Sequence, residues 1–477
     1  MPSPPGSAGR NEGRDCAMKT DTHETALLAG AARSNITPPL GITLDGPIGQ
    51  NGPATHIHDE LHARCLVLSD GSTTLGFAVC DSTMITGRVF EAAKELVAER
   101  TGIPADHLMM TATHSHSVPR AMDITDDAGF QAYLDFLAQR IADGIQRARN
   151  QLAPAQLGWT TTEKPEHLNN RRWLVKPEVL TPNPFGDSGE RVRMNPPAGS
   201  DALIRPTGPV DPSVALLSVQ HEDGRPLALL TNYGLHYVGG VPKGHISADY
   251  YGIFCSAVER ALGQAGQDPP FVALLANGAS GNVNNIDFRT KRTPRPPYAK
   301  MTEVADDLAT AVLTACESIE YTRHMSLSAA TRTLDLPVRR PDAQRLAWAR
   351  TIMASAGGPE RLSSREVFAR EALFLEDYPP TLPVPLQAFA LGDFALSAIP
   401  CEVFAETGLA IREASPFTGT CVMSLANAYH GYLPPPEQHE LGGYETWPAR
   451  SSCLATDAEA DIRAGAIDLL NRLRPPG

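Results

Sequence analysis

The chain has 477 residues, with 41 Lys and Arg against 54 Asp and Glu, a formal net charge of −13 and a pI near 5.5. That balance excludes the basic face a nucleic-acid binder needs and disfavours docking on anionic membranes. Hydrophobic residues make up 42% and charged residues 20%, as in soluble globular proteins, and no segment approaches the ~20 apolar residues needed to span a bilayer.

Residues 1–25 are rich in Pro, Gly, Ser and charge and lack an apolar h-region. They read as a disordered tail, neither signal peptide nor fold element, and Met18 is an alternative start. The first ordered strand is expected over 26–36, followed by a Gly/Pro-rich loop to His58 and strands over 63–68 and 74–80, the second closed by Asp81. Apolar spacing predicts helices over 87–101 and 130–152, with a short buried strand between them that runs from Leu108 into His114-Ser115-His116. Residues 160–207 are polar and rich in Pro and Arg, and such a stretch reads as a functional loop, a lid or a local subdomain. A hairpin is expected around Glu222-Asp223-Gly224-Arg225, joining strands 214–220 and 227–233. Further along come a helix over 250–265, a buried strand over 271–276, a helix over 302–318 and a hinge with a charged helical segment over 337–374. Two short strands over 389–399, a helix over 403–414, a strand over 421–426 and a terminal helix over 456–473 complete the pattern. This alternation predicts an α/β fold, a mixed β-sheet core with surrounding helices in one large catalytic domain over 26–477. The eight cysteines form no C-x-x-C pair and mostly sit in apolar runs, which predicts buried free thiols and a cytoplasmic protein.

Four segments share one grammar, an apolar strand running into a polar residue at its carboxyl end. They end in His114-Ser115-His116, His236, Asn277-Gly278-Ala279-Ser280 and Pro400-Cys401-Glu402. Ligands of open α/β sheets collect at those ends. Residues two apart on an extended segment point the same way, so His114 and His116 are expected to reach one site by strand alternation. Two histidines and a carboxylate make a catalytic zinc set with a position left for water, and metal-assisted hydrolysis is the chemistry to expect. Each residue also has a plainer reading: a histidine satisfied in the interior, Glu402 favouring a helix dipole, Ser280 shaping a turn. No G-x-S-x-G elbow supports a serine hydrolase built on Ser280.

A fifth segment, Asn427-Ala428-Tyr429-His430-Gly431-Tyr432, leads through a Pro-rich loop to Gly443-Tyr444-Glu445. Together the five segments resemble the catalytic domain of the neutral/alkaline, non-lysosomal ceramidases. In that family a strand ends in His-Thr-His-Ser-Gly-Pro, where this chain has His114-Ser115-His116-Ser117-Val118-Pro119. The match to a Gly-Asp-Val-Ser-Pro-Asn turn is Asn277–Asn282, with Gly278 and Gly281 in place of Asp and Pro. Pro400-Cys401-Glu402 stands for Pro-Gly-Glu, and Tyr429, Tyr432 and Tyr444 follow the spacing of the family's tyrosines.

The resemblance implies zinc ligands His114, His236, Glu402 and Tyr432. It implies that His116 shuttles a proton or holds a substrate hydroxyl, that Arg171 (in Asn170-Arg171) and Tyr444 contact substrate, and that Ser280 is a site serine. Asp249 is the candidate for orienting a ligand histidine. The family's additional C-terminal β-sandwich has no counterpart in this sequence, so the substrate is open to change. The expected reaction is zinc-dependent hydrolysis of the N-acyl amide of ceramide or a ceramide-like lipid. The alternative is a zinc-dependent esterase, lactonase or amidase on a small polar substrate, and a non-catalytic ligand-binding protein stands as the third reading.

Overall fold

The computed structural model describes residues 1–3, 26–44, 52–123, 125, 127–357 and 362–474. Most of the expected tail lies outside them. Apolar runs near the start of the ordered chain form β1 (Leu28–Asn35), β2 (His62–Ser69), β3 (Thr74–Cys80) and β4 (Leu108–Ala112). With β5 (Ala153–Glu163), β6 (Ser213–His221), β7 (Pro226–Tyr233) and β8 (Val272–Asn277) they make an eight-stranded sheet of order β8-β7-β6-β5-β1-β2-β3-β4. The pairs β3–β4 and β7–β8 are parallel and the other neighbours antiparallel. Several of these strands are buried along almost their whole length because the sheet is covered on both faces, which is why they read as near-continuous apolar runs.

Helices α1 (Gly87–Thr101), α2 (Ala128–Asn150), α3 (Asp249–Leu262) and α4 (Ala299–Cys316) cover one face. A second sheet covers the other: β9 (Leu327–Pro337), β10 (Thr381–Leu391), β11 (Phe394–Ala398) and β12 (Gly419–Met423), in that order. In β10, Phe389 and Leu391 face the first sheet while Ala388 and Ala390 face outwards, the period-two alternation of a strand between two apolar layers. The outward face packs on α7 (Ala405–Ala414) and α9 (Ala458–Arg472). The result is four layers, helix–sheet–sheet–helix, in the mixed α/β class read from the sequence. Helices α5 (Ala343–Ala354), α6 (Ser364–Glu376) and the short α8 (Pro436–Leu441) lie between these layers in the chain.

The eight-stranded sheet curls until its edge strands β4 and β8 meet. Ser424, just past β12, ties them together. Its amide donates to Asn277 O at 3.0 Å, its carbonyl accepts Thr111 Oγ1 at 2.7 Å and its hydroxyl donates to Gly278 O at 2.7 Å. This closure brings the carboxyl ends of β4, β7, β8 and β11 to one place.

Three expectations change. Residues 160–207 are not without structure: β5 runs to Glu163, and Arg172–Val175, Val192–Met194 and Leu203–Pro206 form a three-stranded sheet. The segment 337–374 holds two helices, α5 and the start of α6. Strands β5 and β9 were not expected at all, since their half-exposed residues give little apolar signal. Among the described residues the seven cysteines are all free and six are buried. No helix among them is long and apolar enough to cross a membrane.

Candidate metal centre

Strand β4 stops at Ala112, and the chain bends before its histidines. His114 sits at φ 72°, with its amide bonded to Ser82 O at 2.9 Å. A left-handed backbone is uncommon for a non-glycine residue and is found where the surroundings over-determine it. This bend, not strand alternation, brings the Nε2 atoms of His114 and His116 to 3.2 Å. Strand β7 delivers His236 through Gly234-Leu235, with Nε2 3.1 Å from that of His114. From β11 the chain passes through Pro400-Cys401 to Glu402, whose Oε2 is 3.2 Å from His114 Nε2 and 3.9 Å from His236 Nε2. Glu402 and Tyr432 are direct partners in a short parallel bridge.

The outer nitrogens fix the tautomers. His114 Nδ1 lies 2.7 Å from the Thr83 carbonyl and His236 Nδ1 lies 3.1 Å from the Ser280 carbonyl. A carbonyl only accepts, so both rings carry the proton on Nδ1 and turn Nε2 lone pairs inwards. Two lone pairs and a carboxylate oxygen thus converge; the donor that reaches them is Arg171 Nη1, 3.3 Å from His236 Nε2, and Glu402 Oε2 makes no hydrogen bond. Donors placed roughly 2.0–2.1 Å from one ion in a tetrahedron sit about 3.4 Å apart, close to the separations seen here. The residues fit a divalent cation. Among the described residues, His114, His116 and His236 form a group of ligand-type side chains at metal-site spacing, with nitrogens within 4.8 Å of one another.

The three imidazoles differ. Burial, and then the Arg171 cation, hold His236 well below the usual histidine range, so it is neutral. His116 is also held well below, by burial and then by His114. Its ring stacks on Tyr237 at 3.8 Å, and its Nδ1 makes no hydrogen bond. It lacks the carbonyl anchor of the other two.

Glu402 Oε1 accepts from the Tyr429 hydroxyl at 2.8 Å. Arg171 is buried with Nη1 3.3 Å from His236 Nε2, and its guanidinium lies 5.3 Å from the centroid of the Tyr432 ring. Burial alone would lower its pKa; Tyr432, Glu445 and Glu402 outweigh that and hold it above its ordinary value. The Tyr444 ring meets Tyr432 edge-on at 5.8 Å. Ser280 contributes through its carbonyl. Asp249 does not reach a histidine ring: it accepts the amides of Val238 (3.0 Å), Gly239 (2.8 Å) and Tyr250 (2.7 Å), and burial pushes its carboxyl up to about 6. The orienting work expected of Asp249 falls instead to the carbonyls of Thr83 and Ser280.

The sequence reading also missed Glu445. It is fully buried and accepts Arg171 Nε at 2.9 Å and Arg172 Nη1 at 2.6 Å. The polar run Asp81-Ser82-Thr83 at the end of β3 was a signal for the Thr83 contact. For Glu445 the only signal was its place beside Tyr444.

A family model described as neutral/alkaline non-lysosomal ceramidase, N-terminal, matches residues 27–288. The chain belongs to this family. The matched segment holds His114, His116, Arg171, His236 and Ser280, while Glu402, Tyr432 and Tyr444 join the same cluster from beyond it. This ceramidase-family chain is similar in structure to the neutral ceramidase of Pseudomonas aeruginosa, with TM-score 0.68, 18% identity and coverage of 94% of this chain and 75% of that one. A structure described as ceramidase complexed with C2 gives TM-score 0.69 at the same identity and coverage. At such identity the likeness is one of fold. Among curated proteins none matches the sequence.

Proposed function

We propose that this member of the ceramidase family is a zinc-dependent amidohydrolase that cleaves the N-acyl amide of ceramide or a ceramide-like substrate. The observation that carries the reading is the facing pair of Nε2 lone pairs on His114 and His236, 3.1 Å apart, with the bare Glu402 oxygen beside them. His114, His236 and Glu402 hold the ion, and Tyr432, paired with Glu402, completes the set. A zinc ion bound there supplies Lewis acidity and makes a water nucleophile available near neutral pH.

The residues around it divide the remaining work. Arg171, whose Nη1 reaches His236 Nε2 at 3.3 Å and whose Nη2 makes no hydrogen bond, supplies a donor for the carbonyl oxygen as negative charge develops on it. Tyr444, against Tyr432, borders the same space. Water adds to the acyl carbon, the C–N bond breaks, and the products are a carboxylate and an amine. His116, free of a carbonyl anchor, takes the proton from water and returns it to the leaving nitrogen. We place it in the cytoplasm, a reading supported by the free state of the seven cysteines among the described residues.

The alternative, an esterase, lactonase or amidase on a small polar substrate, draws support from the charged and hydroxyl-rich lining that Arg171, His116, Tyr432 and Tyr444 provide. The test is metal content of the purified chain, with turnover of a fluorogenic N-acyl sphingosine and of short-chain esters and amides before and after chelation. About one zinc per chain and chelator-sensitive cleavage of the long-chain amide are expected. Zinc with cleavage of the small substrates alone would select the alternative, and a chain that takes up no zinc would overturn both.

A further inference from the structure

Arg171 presents a difficulty. A permanent cation sits 3.3 Å from His236 Nε2, the atom that a divalent ion would use. Like charges that close, with little water between them, oppose metal binding. Glu445 lies directly behind Arg171 and is wholly buried. One oxygen takes Arg171 Nε and the other takes Arg172 Nη1.

Arg172 is in turn saturated. Its Nε donates to Gln438 Oε1 at 3.0 Å, and its Nη2 donates to the carbonyls of Gln438 (3.1 Å) and Gly442 (2.6 Å). Gln438 Nε2 continues to Glu406 at 2.9 Å, and Glu406 accepts Asn282 Nδ2 at 2.7 Å. The Asn282 carbonyl returns to the Arg171 amide at 2.9 Å. The network therefore closes on Arg171, fixing its backbone through Asn282 and its guanidinium through Glu445. The other donors of Arg172 go to neutral groups, so Glu445 is the carboxylate that the two guanidiniums share, and it meets Arg171 at Nε while Nη1 faces His236.

We infer that Glu445 is a positioning residue whose negative charge makes the Arg171 cation compatible with a metal ion at His236. The inference rests on the zinc reading proposed above and assigns Glu445 a role in both metal retention and the aim of Arg171. Its signature is a pair of opposite effects. Removing the Glu445 charge loosens zinc, because Arg171 and Arg172 are left uncompensated. Removing the Arg171 charge leaves zinc as tight or tighter, because Glu445 keeps its charge, while turnover falls. Loss of structure alone would loosen zinc in both variants.

The experiment uses the full chain and the variants Glu445→Gln and Arg171→Gln, each checked for cooperative thermal unfolding. Zinc dissociation is measured by competition with a chromophoric chelator, and kcat and KM on an N-acyl sphingosine. The zinc dissociation constant is expected to rise about 10-fold or more in Glu445→Gln, the range for lost outer partners of a metal site, and not to rise in Arg171→Gln, whose kcat drops. Unchanged zinc affinity in Glu445→Gln, or a weakened one in Arg171→Gln, overturns the role of Glu445. If Glu445→Gln does not fold, the sign of the Arg171→Gln effect still decides. A wild-type chain that binds no zinc in the same titration overturns the metal reading itself, which the variants alone do not.

Discussion

Gly281 donates its amide to the Val403 carbonyl at 2.7 Å, locking the turn that carries Ser280 against the segment that carries Glu402. The packing leaves no room for a side chain: a Cβ on Gly281 would lie 2.4 Å from Glu402 O and 2.9 Å from its carbonyl carbon. Backbone cannot yield as a side-chain tip does, so Gly281→Ala must separate the two segments. Overpacking of this kind costs about 1–3 kcal/mol. It also moves the Ser280 carbonyl that orients His236, so a lowered unfolding midpoint is expected together with weaker zinc retention. Gly281→Pro, the residue the related motif carries, is expected to be worse here because it also removes the amide that Val403 accepts. Melting and chelator competition on both variants check this; wild-type zinc affinity in both would show that the Ser280 and Glu402 segments move independently.

Tyr429 and Glu402 offer a cleaner perturbation. The phenol donates at 2.8 Å to the Glu402 oxygen that does not face the histidines. Tyr429→Phe keeps the ring and removes that donor, freeing the carboxylate to rotate. A loss of about 10- to 100-fold in zinc affinity or turnover is expected, the range for outer partners of metal ligands, with about 1 kcal/mol of stability. Full zinc affinity and turnover in Tyr429→Phe would mean that Glu402 is held by its backbone pairing with Tyr432 alone.

The parts of this site that were legible in the sequence are those where an apolar strand runs straight into chemistry. The runs ending near His114, His236, Ser280 and Glu402 declare themselves because both faces of each strand are buried, and the chain can bring ligands only to their ends. The geometry that joins them was not legible. His114 and His116 meet through a left-handed turn, and β4 and β8, opposite edges of one sheet, meet through Ser424. A long-range closure leaves no periodicity behind. Glu445 was hidden for the same reason: its partners are more than 270 positions away, and a buried carboxylate between two arginines looks in sequence like any surface glutamate. Strands β5 and β9 were lost because Trp159-Thr160-Thr161-Thr162 is only partly buried and Thr331-Arg332-Thr333 is exposed throughout, so neither shows an apolar run.

Glu371 and Arg450 tie α6 to the turn following Tyr444 and Glu445. Arg450 reaches both carboxylate oxygens at 2.8 Å, and the Glu371 side chain is 10% exposed against 28% for Arg450. Burial alone would raise the Glu371 pKa; the Arg450 partner outweighs it and holds the carboxyl below its ordinary value. The folded chain therefore binds that proton more weakly than the unfolded chain. The pair's contribution is fully present above the unfolded pKa and is lost as pH falls through the lower folded one. Discounted for the exposed edge of Arg450, Glu371→Gln should cost about 1–3 kcal/mol near neutral pH. Urea unfolding of both proteins near pH 7 and about pH 3.5 should show the gap narrowing in acid. A gap that stays constant would assign the loss to packing and not to charge.

The last prediction separates His116 from the two histidines it touches. His114 and His236 each give a carbonyl the Nδ1 proton and turn a committed lone pair inwards, whereas His116 has an unbonded Nδ1 and a ring laid flat on Tyr237. If anchoring distinguishes ligand from proton carrier, His114→Ala and His236→Ala lose zinc and activity together. His116→Ala keeps close to one zinc per chain and loses about 10²- to 10⁴-fold in kcat, the range of a general acid–base. Its remaining activity should no longer follow the wild-type pH profile. Zinc content by elemental analysis, measured beside kcat on the same preparations, decides the point. A His116→Ala protein without zinc would make His116 a third imidazole ligand, and the proton would then have to travel by another group.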